Sequence, residues 1–147
     1  MSLLTRILRP SRVAHAHCDA PCGVYDPASA RIAAEAVLSL EKKLAALGDA
    51  HDLATENTRT RYIDIKESQA ELAKHEIAVL WHDYFKPEHL AKYPNLHDVF
   101  WNAAKLCSKN KVESNPENGE ALLSAIEEIH TMFWASKGRD VPFYRAS

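Results

Sequence analysis

The chain has 147 residues, a formal net charge of −2 and 46% hydrophobic residues, with only 4 glycines. This length is enough for one domain with its own hydrophobic core, and the near-neutral charge argues against a nucleic-acid partner. No stretch is apolar for long enough to cross a membrane, and 3 cysteines do not make a disulfide framework. We therefore expect a helical globular protein in a reducing, cytoplasmic compartment.

Residues 1–16 are basic and end in A-H-A, a small-residue pattern that is typical of a cleavage site. A secretory signal would also need an apolar run of roughly 7–15 residues before that site. Arg6, Arg9 and Arg12 interrupt any such run. The segment is therefore not a typical secretory signal.

Residues 17–26, H-C-D-A-P-C-G-V-Y-D, place an imidazole, two thiols and a tyrosine close together in the chain. These nitrogen and sulfur donors suit a late first-row transition metal better than Mg²⁺ or Ca²⁺. A cut after Ala16 would add the free α-amine of His17 to the donors. Pro21 and Gly23 favour a curled segment in which both thiols face one ion; an ordinary turn is the alternative interpretation.

The first two helices are predicted from helical spacing of apolar residues. Asp26 is the expected cap of a first helix that starts at Pro27 and ends at Gly48. A polar connection of about 49–57 then leads to a long second helix, which Pro87 ends. The apolar stripe predicted for this second helix comprises Ile63, Ala70, Leu72, Ile77, Leu80 and Tyr84.

Two more helices complete the predicted fold. The third begins near Pro94 and carries Cys107, which we interpret as a small buried hydrophobic residue. The polar, turn-prone segment 108–118 separates it from a fourth helix that Gly138 ends. Four amphipathic segments with short connections predict an all-α fold, an antiparallel four-helix bundle, which follows the donor-rich N-terminal segment.

Two separated stretches resemble the nickel superoxide dismutase family. The family opens its mature chain with H-C-x-x-P-C-G-V-Y-D-P, and residues 17–27 match every fixed position. The stretch L-W-H-D-Y-F-K-P at 80–87 and the Tyr-Pro pair at 93–94 are also similar to that family, as is the ending around 133–134. The resemblance therefore covers about residues 17–137.

The resemblance implies an enzyme that converts superoxide to oxygen and hydrogen peroxide with one nickel ion per chain. It implies that residues 1–16 are a leader removed by a dedicated processing peptidase. It also implies that residues 17–147 form the mature domain, in which a nickel-binding hook, residues 17–26, precedes the four-helix bundle. It also implies a homohexamer of bundles. No nucleic acid or membrane is an expected partner.

The family's ligand set falls on three residues of this chain. The resemblance implies that the thiolates of Cys18 and Cys22, the Cys18 backbone nitrogen and the His17 amine form a square plane around nickel. Square-planar nitrogen and sulfur coordination is a preferred geometry of Ni(II). The His17 imidazole is then the axial ligand of the oxidised state. A cis Ala20–Pro21 bond is also implied.

Four further residues are expected near the metal. By resemblance, Tyr25 and Tyr84 stand over its open face, admit only small species and order water for proton delivery. Without the resemblance, a loop tyrosine and a core aromatic would be the ordinary interpretations. Asp19 is expected to form a hydrogen bond within the hook, and Lys86 to attract superoxide; a solvated aspartate and a solvated lysine are the alternatives.

One difference from the family concerns the axial imidazole. Many members carry a glutamate on the first helix and an arginine on the second that position this ring, and our alignment places Ala33 and Gln69 there. Glu35 is only two residues from Ala33, but two positions along a helix place its side chain on a different face. The remaining histidines are interpreted as surface or internally satisfied residues: His51, His75, His82, His89, His97 and His130.

Two other functional interpretations remain at this stage. A nickel or copper carrier could use Cys18 and Cys22, but a carrier needs ligand exchange and has no use for gating tyrosines. A structural bundle with incidental cysteines would not need the compact hook. The enzyme is therefore the leading hypothesis.

Overall fold

The computed structural model describes residues 23–146. Within this part of the chain there are four α-helices and no strand: α1 (Ala28–Leu47), α2 (Leu53–Val79), α3 (Leu96–Val112) and α4 (Pro116–Ser136). A π-helical turn (Leu80–Tyr84) and a 3₁₀ helix (Pro87–Ala91) join α2 to α3. Residues 17–22 of the hook, the leader and the Ala20–Pro21 bond lie outside the described residues.

The helices form a four-helix bundle, as predicted. The closest packing is between α1 and α2, α2 and α3, α3 and α4, and α4 and α1, so each helix has two main neighbours. Consecutive helices with short connections run antiparallel in such a square. Residues from all four helices fill the centre and are almost fully buried: Ala33, Val37, Ile77, Phe100, Leu122, Ile126 and Phe133.

The start of α1 fixes the direction in which the N-terminal segment enters the bundle. Asp26 Oδ1 accepts a hydrogen bond of 2.8 Å from the Ala28 amide, and Pro27 precedes the helix with φ −71°. The proline has no amide hydrogen to leave unpaired there. The predicted end of the helix at Gly48, which has φ 57°, is confirmed; the start differs by one residue, because Pro27 is the N-cap and Asp26 contacts the first helical amide from the residue before it.

The connection before α2 is shorter than predicted. We expected polar residues to about 57, but α2 begins at Leu53. Asp52 ends the loop because its Oδ1 accepts 3.0 Å hydrogen bonds from the amides of Ala54 and Thr55. An N-cap of this kind can start a helix inside a polar stretch.

The polar segment 108–118 is mostly helical, which also differs from the prediction. α3 continues to Val112 and α4 starts at Pro116. The Asn115 side chain accepts a 2.9 Å hydrogen bond from the Glu117 amide and so caps α4. The prediction failed because polar helical residues were taken for a turn, although two of them, Asn110 and Asn118, are buried and joined by a 2.9 Å hydrogen bond from the Asn110 side chain to the Asn118 carbonyl oxygen.

The predicted stripe of α2 is partly wrong. Ile63 and Leu72 are 37% and 41% exposed, whereas Lys66 is 1% exposed. The Lys66 ammonium lies 3.3 Å from Glu41 Oε1 and donates to the Glu113 carbonyl oxygen at 2.6 Å. Apolar spacing could not reveal a buried charged pair, which needs its own partners to be tolerated.

Cys107 is fully buried, as predicted. Burial raises the pKa of its thiol to about 12, because a thiolate would lose its hydration there. This cysteine is therefore an inert core residue at neutral pH. Of the helices in the described part of the chain, none is both long and apolar enough for a membrane span.

Candidate metal centre

A cleft of about 310 Å³ lies where the chain enters the bundle. One wall is the segment that directly follows Cys22, and the other is the connection between α2 and α3. The cleft brings together Tyr25, Tyr84 and Lys86, which the sequence analysis had singled out from stretches about sixty residues apart. Its lining residues are Gly23, Tyr25, Asp83, Tyr84, Lys86, Glu88 and His89.

A π-helical turn sets the position of the second wall. The amide of Phe85 donates to the Leu80 carbonyl at 3.0 Å, five residues back, so the last turn of the helix is wider than an α-turn. Phe85 is buried and Tyr84 is half-buried beside the cleft. Such turns are rare and often lie at functional sites. The sequence prediction of one helix up to Pro87 missed this turn.

The Tyr84 ring is held by aromatic neighbours. Its centroid lies 4.5 Å from that of Phe133 and 5.8 Å from that of His89, which is nearly parallel to it at 18°. Tyr25 lies across the cleft at 5.6 Å with an interplanar angle of 57°. Tilted and offset pairs at these distances are favourable for aromatic rings. Tyr84 therefore has a fixed ring position, with Tyr25 facing it.

The Tyr84 hydroxyl reaches the end of α4. Its oxygen lies 2.6 Å from Ser136 Oγ, and Ser136 Oγ in turn donates to the Phe133 carbonyl oxygen at 2.6 Å. Ser136 is half-buried at the last residue of α4. Thus three elements, the segment before α1, the connection after α2 and the end of α4, meet at this tyrosine.

The charges around the cleft are mixed. Lys86 is exposed, while Asp83 and Glu88 contribute carboxylates to the same lining. A second cation is close by, because Lys137 Nζ lies 5.3 Å from the Tyr84 ring centroid and 4.8 Å from that of Phe133. The whole chain is slightly negative, so its net charge does not attract an anion. Any electrostatic attraction of an anion to Tyr84 therefore comes from these two lysines.

Sequence reasoning missed two residues of this site. His89 is a satisfied histidine, as expected, because its Nδ1 accepts a 2.9 Å hydrogen bond from the Lys86 amide, but its place in the lining of the cleft was not predicted. Its position three residues after Lys86 was the available signal, since a 3₁₀ turn brings such residues together. For Ser136, no feature of the sequence pointed to a role at this site.

The metal donors expected from the sequence, His17, Cys18 and Cys22, come before the described residues. Within residues 23–146 no group of three or more histidine, cysteine or acidic side chains could hold a metal ion. Gly23, which lines the cleft and has φ 66°, follows Cys22 directly in the chain. The donor set of His17, Cys18 and Cys22 fits nickel by its chemistry, since it combines thiolates with nitrogen ligands.

The first helix offers no carboxylate in place of the family's usual glutamate. Ala33 is completely buried, and Gln69 on α2 is half-buried. Glu35 is engaged elsewhere: its Oε1 lies 2.8 Å from Arg31, and its Oε2 accepts a 2.7 Å hydrogen bond from the Ala146 amide. Both carboxylate oxygens of Glu35 therefore have partners among the described residues.

Comparisons with known proteins agree with this picture. The sequence pattern of the family described as nickel-containing superoxide dismutase matches residues 12–137. Nickel superoxide dismutases of Streptomyces coelicolor and Streptomyces seoulensis are each 45% identical over 135 residues, which is 92% of this chain and 98% of theirs. A native nickel superoxide dismutase structure superposes with a TM-score of 0.74 at 46% identity, covering 84% of this chain and 100% of that one.

Proposed function

Because this chain belongs to the nickel-containing superoxide dismutase family and is a nickel-dependent superoxide dismutase, we propose that its nickel binds at a processed N-terminus that begins with His17. The observation that carries the proposal is the cleft of Tyr25 and Tyr84, which opens beside Gly23, the residue after Cys22. Residues 17–22 combine thiol and imidazole donors that suit nickel, whereas within residues 23–146 no group of three or more histidine, cysteine or acidic side chains could hold a metal ion.

The proposed ligands are the amine and imidazole of His17, the thiolate and backbone nitrogen of Cys18, and the thiolate of Cys22. Thiolates are strong electron donors and so stabilise the higher oxidation state. When bound, nickel supplies a one-electron couple between +2 and +3, so that one superoxide is oxidised to oxygen and a second, with two protons, is reduced to hydrogen peroxide.

The residues of the cleft have supporting roles in this proposal. Tyr25 and Tyr84, with ring centroids 5.6 Å apart, restrict access to small molecules and hold water for proton delivery. Lys86 attracts the anion from the exposed rim of the cleft. Asp19 forms a hydrogen bond that stabilises the hook.

Processing and assembly complete the proposal. Residues 1–16 are a leader that a peptidase removes, because the His17 amine is blocked while the leader is attached. Residues 17–147 form the mature domain, which assembles as a homohexamer. Thiolate ligands and a free Cys107 favour a reducing, cytoplasmic location.

Cysteine variants test the ligand set. Cys18→Ser or Cys22→Ser replaces a thiolate by a hydroxyl that stays protonated at neutral pH, so the processed chain should lose both bound nickel and dismutase activity. Cys107→Ser is the matched control: this buried thiol has a pKa of about 12, and its variant should keep both. Full nickel content and activity in either hook variant would remove that cysteine from the ligand set.

A further inference from the structure

The direction of one hydrogen bond can be deduced at the cleft. Ser136 Oγ lies 2.6 Å from the Phe133 carbonyl oxygen, which can only accept a hydrogen bond. The single hydroxyl hydrogen of Ser136 is therefore donated to Phe133. In the 2.6 Å contact between Tyr84 Oη and Ser136 Oγ, the serine is then the acceptor and the tyrosine the donor. The Tyr84 hydrogen therefore points toward the end of α4.

The surroundings of Tyr84 leave this hydroxyl few other orientations. Phe133 packs against the ring at a centroid distance of 4.5 Å, and His89 stacks on it at 5.8 Å. With the ring fixed, rotation about the bond from ring to oxygen is the main remaining freedom, and Ser136 determines it. With its only hydrogen directed to Ser136, the tyrosine oxygen has only lone pairs left for a molecule in the cleft that Tyr84 lines.

We propose that Ser136 is a positioning residue that makes Tyr84 a hydrogen-bond acceptor toward the cleft. This inference deepens the proposed function and rests on it. A molecule beside Tyr84 must then donate: water and hydrogen peroxide can do so, whereas superoxide is an anion without a hydrogen. Ser136 thereby favours the water that delivers protons and the protonated product over a direct contact between Tyr84 and the substrate anion.

Azide is a suitable probe because it is a small anion that accepts hydrogen bonds and donates none. In processed, nickel-loaded Ser136→Ala, the Tyr84 hydroxyl loses its acceptor and can turn to donate to an anion in the cleft. We expect the azide dissociation constant to fall by about 3- to 10-fold, which is the range of one ordinary net hydrogen bond and suits an open, hydrated site. Ser136→Thr keeps the hydroxyl and should bind azide like the wild type.

A double-variant comparison assigns the effect to Tyr84. In a Tyr84→Phe background, Ser136→Ala should leave azide binding unchanged, because the hydroxyl that it releases is absent. An unchanged azide affinity in Ser136→Ala, or an equal gain in the Tyr84→Phe background, would overturn the proposal. So would a threonine variant that behaves like the alanine variant.

A spectroscopic measurement tests the same claim without activity. The intensity ratio of the tyrosine Raman doublet reports whether a phenol donates or accepts, and the difference from Tyr84→Phe isolates this residue. Ser136→Ala should shift the ratio away from that of a strong donor, and Ser136→Thr should not. An unshifted ratio contradicts the inference. Because the doublet arises from the phenol, the result remains readable even if the proposed nickel chemistry is wrong.

Discussion

At the scale of single residues, the unusual feature is the environment available to the His17 imidazole. A metal-bound imidazole is normally oriented by a hydrogen bond from its other ring nitrogen. Ala33 is buried and carries no polar group, and both carboxylate oxygens of Glu35 already have partners. The proposed axial imidazole therefore has no carboxylate partner in Ala33 or Glu35, and we expect its partner to be Gln69, a backbone carbonyl, water or a neighbouring subunit.

Electron paramagnetic resonance can test this. We predict that the oxidised, processed enzyme shows a nickel signal split by an axial nitrogen, because a neutral partner is sufficient to orient the ring. His17→Ala, which keeps the α-amine and removes the imidazole, is the control and should give an unsplit signal. An unsplit signal in the active wild-type enzyme would mean that His17 is not an axial ligand.

At the scale of helices, a buried charged pair joins α1 and α2. Glu41 and Lys66 are both nearly inaccessible to solvent, with 3.3 Å between Oε1 and Nζ, and Lys66 also donates to the Glu113 carbonyl before α4. Loss of hydration raises the pKa of the Glu41 carboxyl above its ordinary value of 4.5, and attraction to Lys66 only partly opposes this.

This pKa shift predicts a pH dependence of stability. The folded chain holds the Glu41 proton more tightly than the unfolded chain does, so this group favours folding most at pH values below 4.5. Its contribution declines as the pH rises from there through the raised pKa. Over that interval, the free energy of unfolding of the wild type should therefore fall relative to that of Glu41→Gln, as measured by urea denaturation. A pH-independent difference would contradict the shift.

The C-terminal segment is a second feature at this scale, and it lies beyond residue 137, where the family match ends. Arg145 forms ion pairs with Glu120 and Glu127 on α4. The Val141 carbonyl lies 2.8 Å from His130 Nε2, and the Ala146 amide binds Glu35. The segment therefore connects α4 to α1, and none of these residues lines the cleft.

Ending the chain after Arg139 should lower the free energy of unfolding by at least about 2 kcal/mol, since it removes two hydrogen bonds to partly buried groups, two exposed ion pairs and the packing of Phe143 against the core. Dismutase activity should be unaffected. Tyr144→Ala, at a position that is 68% exposed on the same segment, is the control and should change stability by less than about 0.5 kcal/mol. Equal stability of the shortened and full chains would show that the segment does not fasten the helices.

The helices themselves were largely predictable, because Asp26, Gly48 and Gly138 are local signals that act through backbone geometry. The errors occurred where a tertiary or capping interaction overrode the apolar pattern. Lys66 is buried because Glu41 faces it across two helices, and Asp52 starts α2 inside a polar stretch. Neither effect is visible in the spacing of apolar residues.

At the scale of the whole molecule, the bundle collects residues from distant parts of the chain at one end. An antiparallel four-helix arrangement places the start of α1, the end of α2 and the end of α4 together. Tyr25, Tyr84 and Ser136 meet there. The sequence marked Tyr25 and Tyr84 only through resemblance to a family, whereas Ser136 was identified only by its contact with Tyr84 in the folded chain.

The central claim is that nickel binds at an N-terminus created by cleavage before His17, and the intact mass of the active, nickel-containing protein tests it most directly. We expect this fraction to lack residues 1–16, and protein that retains the leader to be inactive even with nickel present. Full dismutase activity in a chain whose mass includes residues 1–16 would contradict the account, because the His17 amine would then be part of a peptide bond.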